Sequence, residues 1–181
     1  MNEKEIEKLS KYLSLLLRHR PEKLGITLDD QGWTSVEGLL EKMSANGLVV
    51  DFALLKTVVD TNIKRRFALS EDQSRIRANQ GHSIKIDLGY KPVTPPDVLY
   101  HGTAVKNIES ILRLGIKKRT RHHVHLSADI ITAKNVGVRH GKPIVLLIDS
   151  FRMNKEGHKF FESKNGVWLT DEIAVEYISK M

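Results

Sequence analysis

The chain of 181 residues contains no cysteine, which excludes disulfides, a thiol nucleophile and thiolate zinc ligands. Long hydrophobic runs are also missing. The apolar stretch 144–148 is far shorter than the ~20 residues that a membrane-spanning helix requires. The first residues, MNEKEIEK, are too highly charged for a signal peptide. From these absences we expect a cytoplasmic protein with no membrane partner.

Positive charge is what the chain has in excess. Lysine and arginine total 29 against 22 for aspartate and glutamate, and the sequence pI is about 9.6. This balance favours a polyanionic partner such as nucleic acid or a phosphate-rich ligand. The length allows one sizeable core or two small ones.

The first half of the sequence shows three amphipathic segments and then two short strands. Apolar residues at helical spacing predict a helix over 5–19. Thr34 and Glu37 form a capping-box pattern that predicts a second helix, and Asp51 predicts the start of a third. The stretches RRFALS and SRIRANQ then predict a hairpin. Three helices before a hairpin indicate a winged-helix module.

The proline-rich segment 90–97 opposes both helix and interior strand, so we interpret it as a linker. After it the pattern changes to alternating strands and helices, and the rest is strand-rich. The predicted elements are a strand VLYHGT, a helix over 105–114 ended by Gly115, a strand HVHLS, a helix over 128–140, a strand PIVLLIDS, a hairpin turning at Asn165-Gly166 and a last strand IAVEYIS. The predicted class is α+β, with lobes at 1–89 and 98–181.

Basic residues stand where predicted elements begin or end. Arg18 and His19 lie in the last turn of the first helix, where cations also simply favour the helix dipole. Arg66 and Arg121 each stand at the start of a predicted strand, where a side chain can be held rigidly. Arginine is suited to forked hydrogen bonding of phosphate, so a phosphate clamp competes with plain surface charge.

Other polar stretches are weaker signals. His122, His123 and His125 invite a zinc site, but no HExxH pattern occurs, so histidines beside a nucleotide or in ordinary packing are favoured. Ser127 lacks the GxSxG context of a nucleophile. ANQGHS reads either as an ordinary turn or as a phosphate-binding one, and YHGT ends a strand with Thr103 placed to cap the next helix. Neither a Rossmann nor a P-loop motif is present.

Taken together, these stretches resemble the RNA 2′-phosphotransferase family, NAD-dependent enzymes also called tRNA 2′-phosphotransferases. The resemblance runs from about residue 8 to residue 178 in matching order. Its motifs are LSKYLSLLLRH, DDQGW, KRRFAL, RANQGHS, LYHGT, RHHVHLS, RHGKPIVLLID and NGVWLTDEI.

The resemblance implies an N-terminal winged-helix lobe and a C-terminal ADP-ribosyltransferase-like β-sheet lobe that bind NAD and an RNA carrying an internal 2′-phosphate. In the implied first step the 2′-phosphate attacks the nicotinamide ribose C1″ and nicotinamide leaves, giving an RNA ADP-ribosylated on its 2′-phosphate. In the second step the ribose 2″-hydroxyl attacks that phosphorus, giving 2′-OH RNA and ADP-ribose 1″,2″-cyclic phosphate. No metal and no obligate protein partner is expected.

The resemblance also implies roles for individual residues. The catalytic set is Arg18, His19, Arg66 and Arg121. The residues implied for NAD are His101, Gly102, Thr103 and, more weakly, Ser127. Candidates for phosphate contacts are Asn79, Gln80, Gly81 and His82. Arg65 and Arg119 are neighbours that a shift of strand register would put in the places of Arg66 and Arg121.

Two rival interpretations remain at the level of sequence. A winged-helix protein that only binds nucleic acid would use the same arginines without consuming NAD. An ADP-ribosyltransferase that stops after one step would modify a protein or a terminal phosphate. YHGT and RHHVHLS contain no glutamate to assist a protein acceptor, which favours an acceptor that is already charged.

Overall fold

The computed structural model describes residues 3–180, in which helices are mixed with small antiparallel sheets. The predicted α+β class is therefore confirmed. The chain divides into two compact units, Met1–Gly89 (unit 1) and Tyr90–Met181 (unit 2). Across 3–180, none of the helices combines the length and apolar character that crossing a membrane requires.

Unit 1 contains three α-helices, namely α1 (Glu3–Arg18), α2 (Val36–Ala45) and α3 (Phe52–Asp60). Asp51 caps α3 as predicted, since its Oδ1 accepts from the Leu54 N–H at 2.8 Å. The predicted capping box of α2 is wrong. The capping residue is Ser35, whose Oγ accepts from the Gly38 N–H at 3.2 Å, while Thr34 belongs to a strand.

That strand is β1 (Thr34–Ser35), and with β2 (Phe67–Leu69) and β3 (Arg75–Ala78) it forms an antiparallel sheet in the order β1-β3-β2. The predicted hairpin is thus confirmed, with Phe67 opposite Ala78. The core of the unit lies between the helices and this sheet. Its fully buried members include Leu13, Leu16, Leu17, Leu39, Leu55 and Ile76. Burying each such side chain contributes roughly 1.5–3 kcal/mol, which fixes the end of α1 in the unit.

Unit 2 is built on antiparallel strands. The long strands are β4 (Val98–Ala104) and β7 (Pro143–Asp149), which pair along their whole length. Shorter elements complete the sheets and helices of the unit. Their bounds are α4 (Ile108–Leu114), β5 (Ile116–Lys117), β6 (Val124–Leu126), α5 (Ile130–Val138), α6 (Ser150–Lys155), β8 (Phe160–Glu162), β9 (Trp168–Thr170), β10 (Glu172–Ile173) and β11 (Ile178–Lys180). The sheet orders are β11-β7-β4, β6-β9-β8 and β10-β5. The hairpin predicted at Asn165-Gly166 is confirmed as β8–β9.

Close helix-on-strand packing in unit 2 depends on small residues. A Cβ built on Gly102 of β4 would lie 1.6 Å from the carbonyl oxygen of Ala133 in α5. A Cβ on Gly137 of α5 would lie 2.7 Å from the carbonyl oxygen of Thr103. Glycine at both positions is therefore what allows α5 to lie directly on β4, beside the YHGT stretch.

Two expectations for unit 2 need correction. Thr103 does not cap the following helix, because it lies within β4 and a 3₁₀ turn over Val105–Asn107 precedes α4. The predicted last strand IAVEYIS is interrupted, because β10 ends at Ile173, a 3₁₀ turn spans Val175–Tyr177 and β11 begins at Ile178. The helix α6 was not predicted. The proline-rich segment 90–97 belongs to unit 2, where the Val93 N–H donates to the Phe160 carbonyl at 2.9 Å and the Ser150 hydroxyl donates to the Pro96 carbonyl at 2.6 Å.

Candidate functional site

In unit 1, the end of α1 lies against the segment that follows β3. Arg18 is the last residue of α1 and His19 follows it. The Ser83 backbone N–H donates to the Arg18 carbonyl at 2.9 Å, and the Ser83 Oγ lies 2.9 Å from Nδ1 of His19. The segment 79–83 therefore meets both members of the Arg18–His19 pair.

Arg66 joins the same cluster from the residue just before β2. The Arg18 guanidinium donates through Nη2 to the Arg66 carbonyl at 3.4 Å. The Arg66 side chain is half-buried and its Nη1 donates to the Ser10 hydroxyl on α1 at 3.4 Å. Arg65 is exposed, with a left-handed φ of 40°. Of the two neighbours, Arg66 is the one whose side chain lies on α1.

The candidate phosphate-binding turn provides the third side of this cluster. Asn79 is buried, and its Nδ2 donates to the carbonyls of Arg65 at 2.6 Å and Phe67 at 3.2 Å. Gly81 has φ 86°, and a Cβ there would lie 3.6 Å from Nη1 of Arg18. The left-handed φ favours glycine at this position, and the backbone of Gly81 lies beside the Arg18 guanidinium. The Arg18 guanidinium and the His19 imidazole meet a glycine-containing turn here, an arrangement suited to binding a phosphate.

His82, beside Gly81, is held by packing. Its ring is buried, and a Cβ on Gly32 would lie 3.4 Å from its Nε2. Gly32 belongs to the DDQGW motif, where Asp29 accepts hydrogen bonds from the N–H groups of Gln31 and Trp33. DDQGW therefore supports the turn that faces Arg18.

In unit 2, a cavity of about 450 Å³ opens beside β4 and α4. This volume is in the range of small-molecule and cofactor sites, ~300–1,000 Å³. Several of the residues predicted to bind NAD line it, together with Arg121 and the basic loop before it. The predicted lining residues are His101, Gly102, Thr103 and Arg121. Ser127 is engaged in the backbone instead, where it exchanges two hydrogen bonds of 2.9 Å with Tyr100.

His101 is held in one tautomer. Its Nδ1 lies 3.1 Å from the carbonyl oxygen of His125, and because a carbonyl only accepts, Nδ1 carries the proton. Burial lowers the pKa of His101, while the hydrogen bond to His125 acts in the opposite direction. A neutral ring with a proton on Nδ1 has an unprotonated Nε2, which is an acceptor suited to a hydroxyl group.

Arg121 stands in the turn before β6. Its Nη1 lies 3.5 Å from Nδ1 of His125, and its charge adds to the lowering of the His101 pKa. Arg119 also lines the cavity and has a left-handed φ of 54°. The loop that carries both arginines follows β5, which a Lys117–Glu172 ion pair of 2.6 Å joins to β10. A Lys118–Asp171 ion pair of 3.0 Å joins the loop to the residue before β10.

The histidines considered as zinc ligands have other contacts. His123 packs on Phe161 with ring centroids 5.3 Å apart, and the carbonyl of His125 accepts from His101. Within residues 3–180, no group of three or more histidine, aspartate or glutamate side chains is arranged to hold a metal ion.

Sequence reasoning missed three residues that the structure places at these sites. Ser83 contacts Arg18 and His19, as described above. Asn107 and His140 line the cavity, and Asn107 donates through Nδ2 to the Thr103 hydroxyl at 3.1 Å. The spacing of four residues between Thr103 and Asn107 was a usable signal, since a turn after a strand brings such residues together. His140 lies in the motif RHGKPIVLLID, but no spacing in that stretch assigns it to the cavity.

The family model for the RNA 2′-phosphotransferase, Tpt1/KptA family matches residues 4–172. Among curated relatives, a protein of Fusobacterium nucleatum subsp. nucleatum is 52% identical over 172 residues, which cover 94% of this chain and 96% of the relative. A protein of Nostoc punctiforme is 46% identical over 181 residues and covers both chains completely. Each of the two is named "Probable RNA 2'-phosphotransferase". The chain therefore belongs to the RNA 2′-phosphotransferase family.

Proposed function

We propose that the protein removes an internal 2′-phosphate from RNA by transferring it to NAD. The products are 2′-OH RNA, ADP-ribose 1″,2″-cyclic phosphate and nicotinamide, formed through an RNA that is ADP-ribosylated on its 2′-phosphate. Family membership supports the RNA 2′-phosphate as substrate. The observation that carries the proposal is the cluster of Arg18, His19 and Arg66 around the turn 79–83.

Each unit has its own task in this proposal. Residues 1–89 form the winged-helix lobe that binds the RNA phosphate, supported by the element order α1-β1-α2-α3-β2-β3 and the sheet order β1-β3-β2. Residues 98–181 form the ADP-ribosyltransferase-like lobe that binds NAD, supported by the cavity beside β4. The segment 90–97 joins them.

The arginines orient the phosphate and stabilise its charge. A phosphate monoester is already anionic near neutral pH, so it attacks carbon without a general base and needs cations that position it. Arg18 and Arg66 supply forked donors for this purpose. We assign Arg66 and Arg121 to the extra negative charge that develops at phosphorus in the second step.

His19 is the member of this set that can exchange a proton near pH 7. We assign it to proton transfer in the second step, at the reacting 2″-hydroxyl or at the departing 2′-oxygen. Asn79, Gln80, Gly81 and His82 complete the phosphate-binding turn, where Gly81 has a left-handed φ and lies beside Arg18.

The residues around the cavity of unit 2 fit a dinucleotide. His101 provides an acceptor for a ribose hydroxyl, and Lys118, Arg119 and Arg121 provide positive charge for a diphosphate. Gly102, Thr103 and Asn107 form the wall on the β4 side. When bound, NAD supplies a ribose C1″ with nicotinamide as leaving group and an adjacent 2″-hydroxyl. Ser127, beside Tyr100, is a weaker candidate for contact.

The test is incubation with an oligonucleotide that carries one internal 2′-phosphate, with and without NAD, followed by mass analysis of RNA and small products. We expect loss of the phosphate only with NAD, and no effect of EDTA, because arginines supply the cations. The same oligonucleotide without the phosphate is the control and should release no nicotinamide. Binding without any product would favour the nucleic-acid binder, and zinc-restored activity after chelation would overturn the metal-free assignment.

A further inference from the structure

One residue outside the predicted set contacts both members of the Arg18–His19 pair. The backbone N–H of Ser83 donates to the Arg18 carbonyl at 2.9 Å. The hydroxyl of the same residue lies 2.9 Å from Nδ1 of His19. Ser83 is 64 positions away from His19 in sequence, so this contact exists only in the folded unit.

The backbone contact fixes the position of the pair. Arg18 ends α1, and the last four carbonyls of a helix have no partner within the helix. The Ser83 N–H satisfies one of them. Because Leu13, Leu16 and Leu17 of α1 are fully buried, the helix end is already held in the core, and Ser83 ties the segment 79–83 to that fixed point.

The side-chain contact fixes the direction of the imidazole. A serine hydroxyl rotates and can either donate or accept, so it can hold Nδ1 when that nitrogen is unprotonated and when it carries a proton. The ring therefore keeps its orientation while it exchanges a proton. With Nδ1 held by Ser83, Nε2 lies on the opposite side of the ring from the serine.

We propose that Ser83 is a positioning residue that orients His19 through Nδ1 and so presents Nε2 to the RNA 2′-phosphate group. The catalytic part of this inference rests on the function proposed above. The orientation of the imidazole itself does not, because it concerns a contact within unit 1.

The kinetic test uses Ser83→Ala, which removes the hydroxyl and keeps the backbone N–H. We expect kcat for 2′-phosphate removal to fall about tenfold with KM for the RNA nearly unchanged, since a misdirected imidazole impairs proton transfer and not binding. Ser83→Thr keeps a hydroxyl and should restore most of the rate. Ser74→Ala is the matched control, because it removes a hydroxyl bonded at 2.7 Å to Asp72 in the same unit and should leave kcat unchanged.

A double-mutant cycle distinguishes positioning from general support of the fold. If Ser83 acts through His19, then Ser83→Ala should add almost nothing to the loss caused by His19→Ala. Losses that multiply in the double variant would overturn the proposal. So would a Ser83→Ala variant that raises KM while kcat stays at the wild-type value.

The third measurement does not depend on activity. Imidazole ¹⁵N and ¹³C NMR spectra report the hydrogen bonding of each ring nitrogen. The signals of His19 are assigned as those that are missing in the spectra of His19→Ala. We expect Ser83→Ala to shift the Nδ1 signal of His19 and leave the other assigned histidines in place. If wild-type protein processes no 2′-phosphorylated RNA but this shift occurs, the proposed function fails and the orientation stands. If the His19 signals do not change, the orienting role of Ser83 is wrong whatever the activity.

Discussion

The two units hold their candidate site residues by different means. In unit 1 the residues stand where elements begin or end, and hydrogen bonds among Arg18, Arg66, Asn79 and Ser83 bring them together. In unit 2 His101, Gly102 and Thr103 lie inside the long strand β4, and a helix packed directly on that strand forms one side of the cavity. One site depends on polar contacts between chain segments, and the other depends on close packing.

Each site should therefore be sensitive to a different kind of substitution. A lost hydrogen bond in unit 1 should misplace a side chain while the core of fully buried leucines keeps the fold. An added methyl group at the β4–α5 contact of unit 2 should disturb the fold itself, because backbone atoms meet there and cannot move aside independently.

The largest effect should come from Gly102→Ala. The new Cβ would lie 1.6 Å from the Ala133 carbonyl oxygen, so α5 must shift away from β4. We expect the free energy of unfolding of unit 2 to fall by at least about 3 kcal/mol, and NAD-dependent activity to be lost. Thermal unfolding followed with amide hydrogen exchange measures this, since unit 1 should retain its protection.

Gly38→Ala is the matched control for that substitution. Gly38 lies in α2. The atoms nearest to a Cβ built on it would be the Cβ and Oγ of Ser35, both at 3.7 Å. Alanine should be tolerated, and it should stabilise the helix by up to ~1 kcal/mol. A Gly102→Ala protein with wild-type stability would show that α5 can shift away from β4 at little cost in free energy. Close packing would then not be what holds the site of unit 2.

The next effect in size is expected for Arg66→Ala in unit 1. Loss of one preorganised contact to a developing charge costs about 3–4 kcal/mol, so the rate of 2′-phosphate removal should fall roughly a hundredfold to a thousandfold. The fold should persist. Single-turnover kinetics with a 2′-phosphorylated oligonucleotide measures the rate, and thermal unfolding checks the structure.

Arg65→Ala tests the adjacent arginine. Arg65 is exposed and already has a left-handed φ, so alanine there changes charge without removing the contact to Ser10 that Arg66 makes. We expect a change in rate of less than about threefold. A larger loss for Arg65→Ala than for Arg66→Ala would exchange the roles of the two arginines.

A smaller effect, in unit 2, should depend on pH. Burial lowers the pKa of His101 below its ordinary value of 6.5, so between the two pKa values the unfolded chain binds a proton that the folded chain does not. The free energy of unfolding should therefore decrease as the pH falls below about 6.5. Equilibrium unfolding at several pH values measures the slope, and His101→Asn, which keeps an amide donor, should remove this contribution. An unchanged slope in that variant would assign the pH dependence to other groups.

Local signals explain how much of the fold could be predicted. Asp51 and the Asn165-Gly166 turn act through neighbours in sequence, and both predictions are confirmed. The strand β1 was missed because it has only two residues and exists through its pairing with β3. That pairing also explains why Thr34 lies in a strand while Ser35 caps α2.

Prediction of the candidate site residues was limited in the same way, because contacts made by the tertiary fold leave no local signal in the sequence. Arg18, His19 and Arg66 could be singled out because they stand at predicted element ends and in a recognisable pattern of motifs. Ser83 and His140 lie in quoted motifs, but their contacts at the sites could not be predicted, since each reaches its site through the tertiary fold. The role of Ser83 in function remains a prediction, and Ser83→Ala tests it.

The smallest effect is expected at the Lys118–Asp171 ion pair, which joins the loop carrying Arg119 and Arg121 to the residue before β10. The pair spans 3.0 Å, but its side chains are 47% and 69% exposed. Exposed pairs typically contribute about 0–1 kcal/mol. The loop is also held by pairing of β5 with β10, where Ile116 and Ile173 are buried. We therefore expect Asp171→Asn to change stability by less than about 0.5 kcal/mol and NAD-dependent activity by less than about threefold.

Asp60→Asn in unit 1 provides the comparison for this ion pair. Asp60 pairs with Lys56 at 2.6 Å within α3, the two side chains are 56% and 43% exposed, and neither residue is a candidate site residue. If packing holds the loop of unit 2, the two substitutions should have equally small effects on unfolding, and both effects should disappear at high salt. If Asp171→Asn instead impairs NAD-dependent activity tenfold while Asp60→Asn does not, the position of Arg121 depends on a surface ion pair. Polar contacts would then position site residues in unit 2 as they do in unit 1.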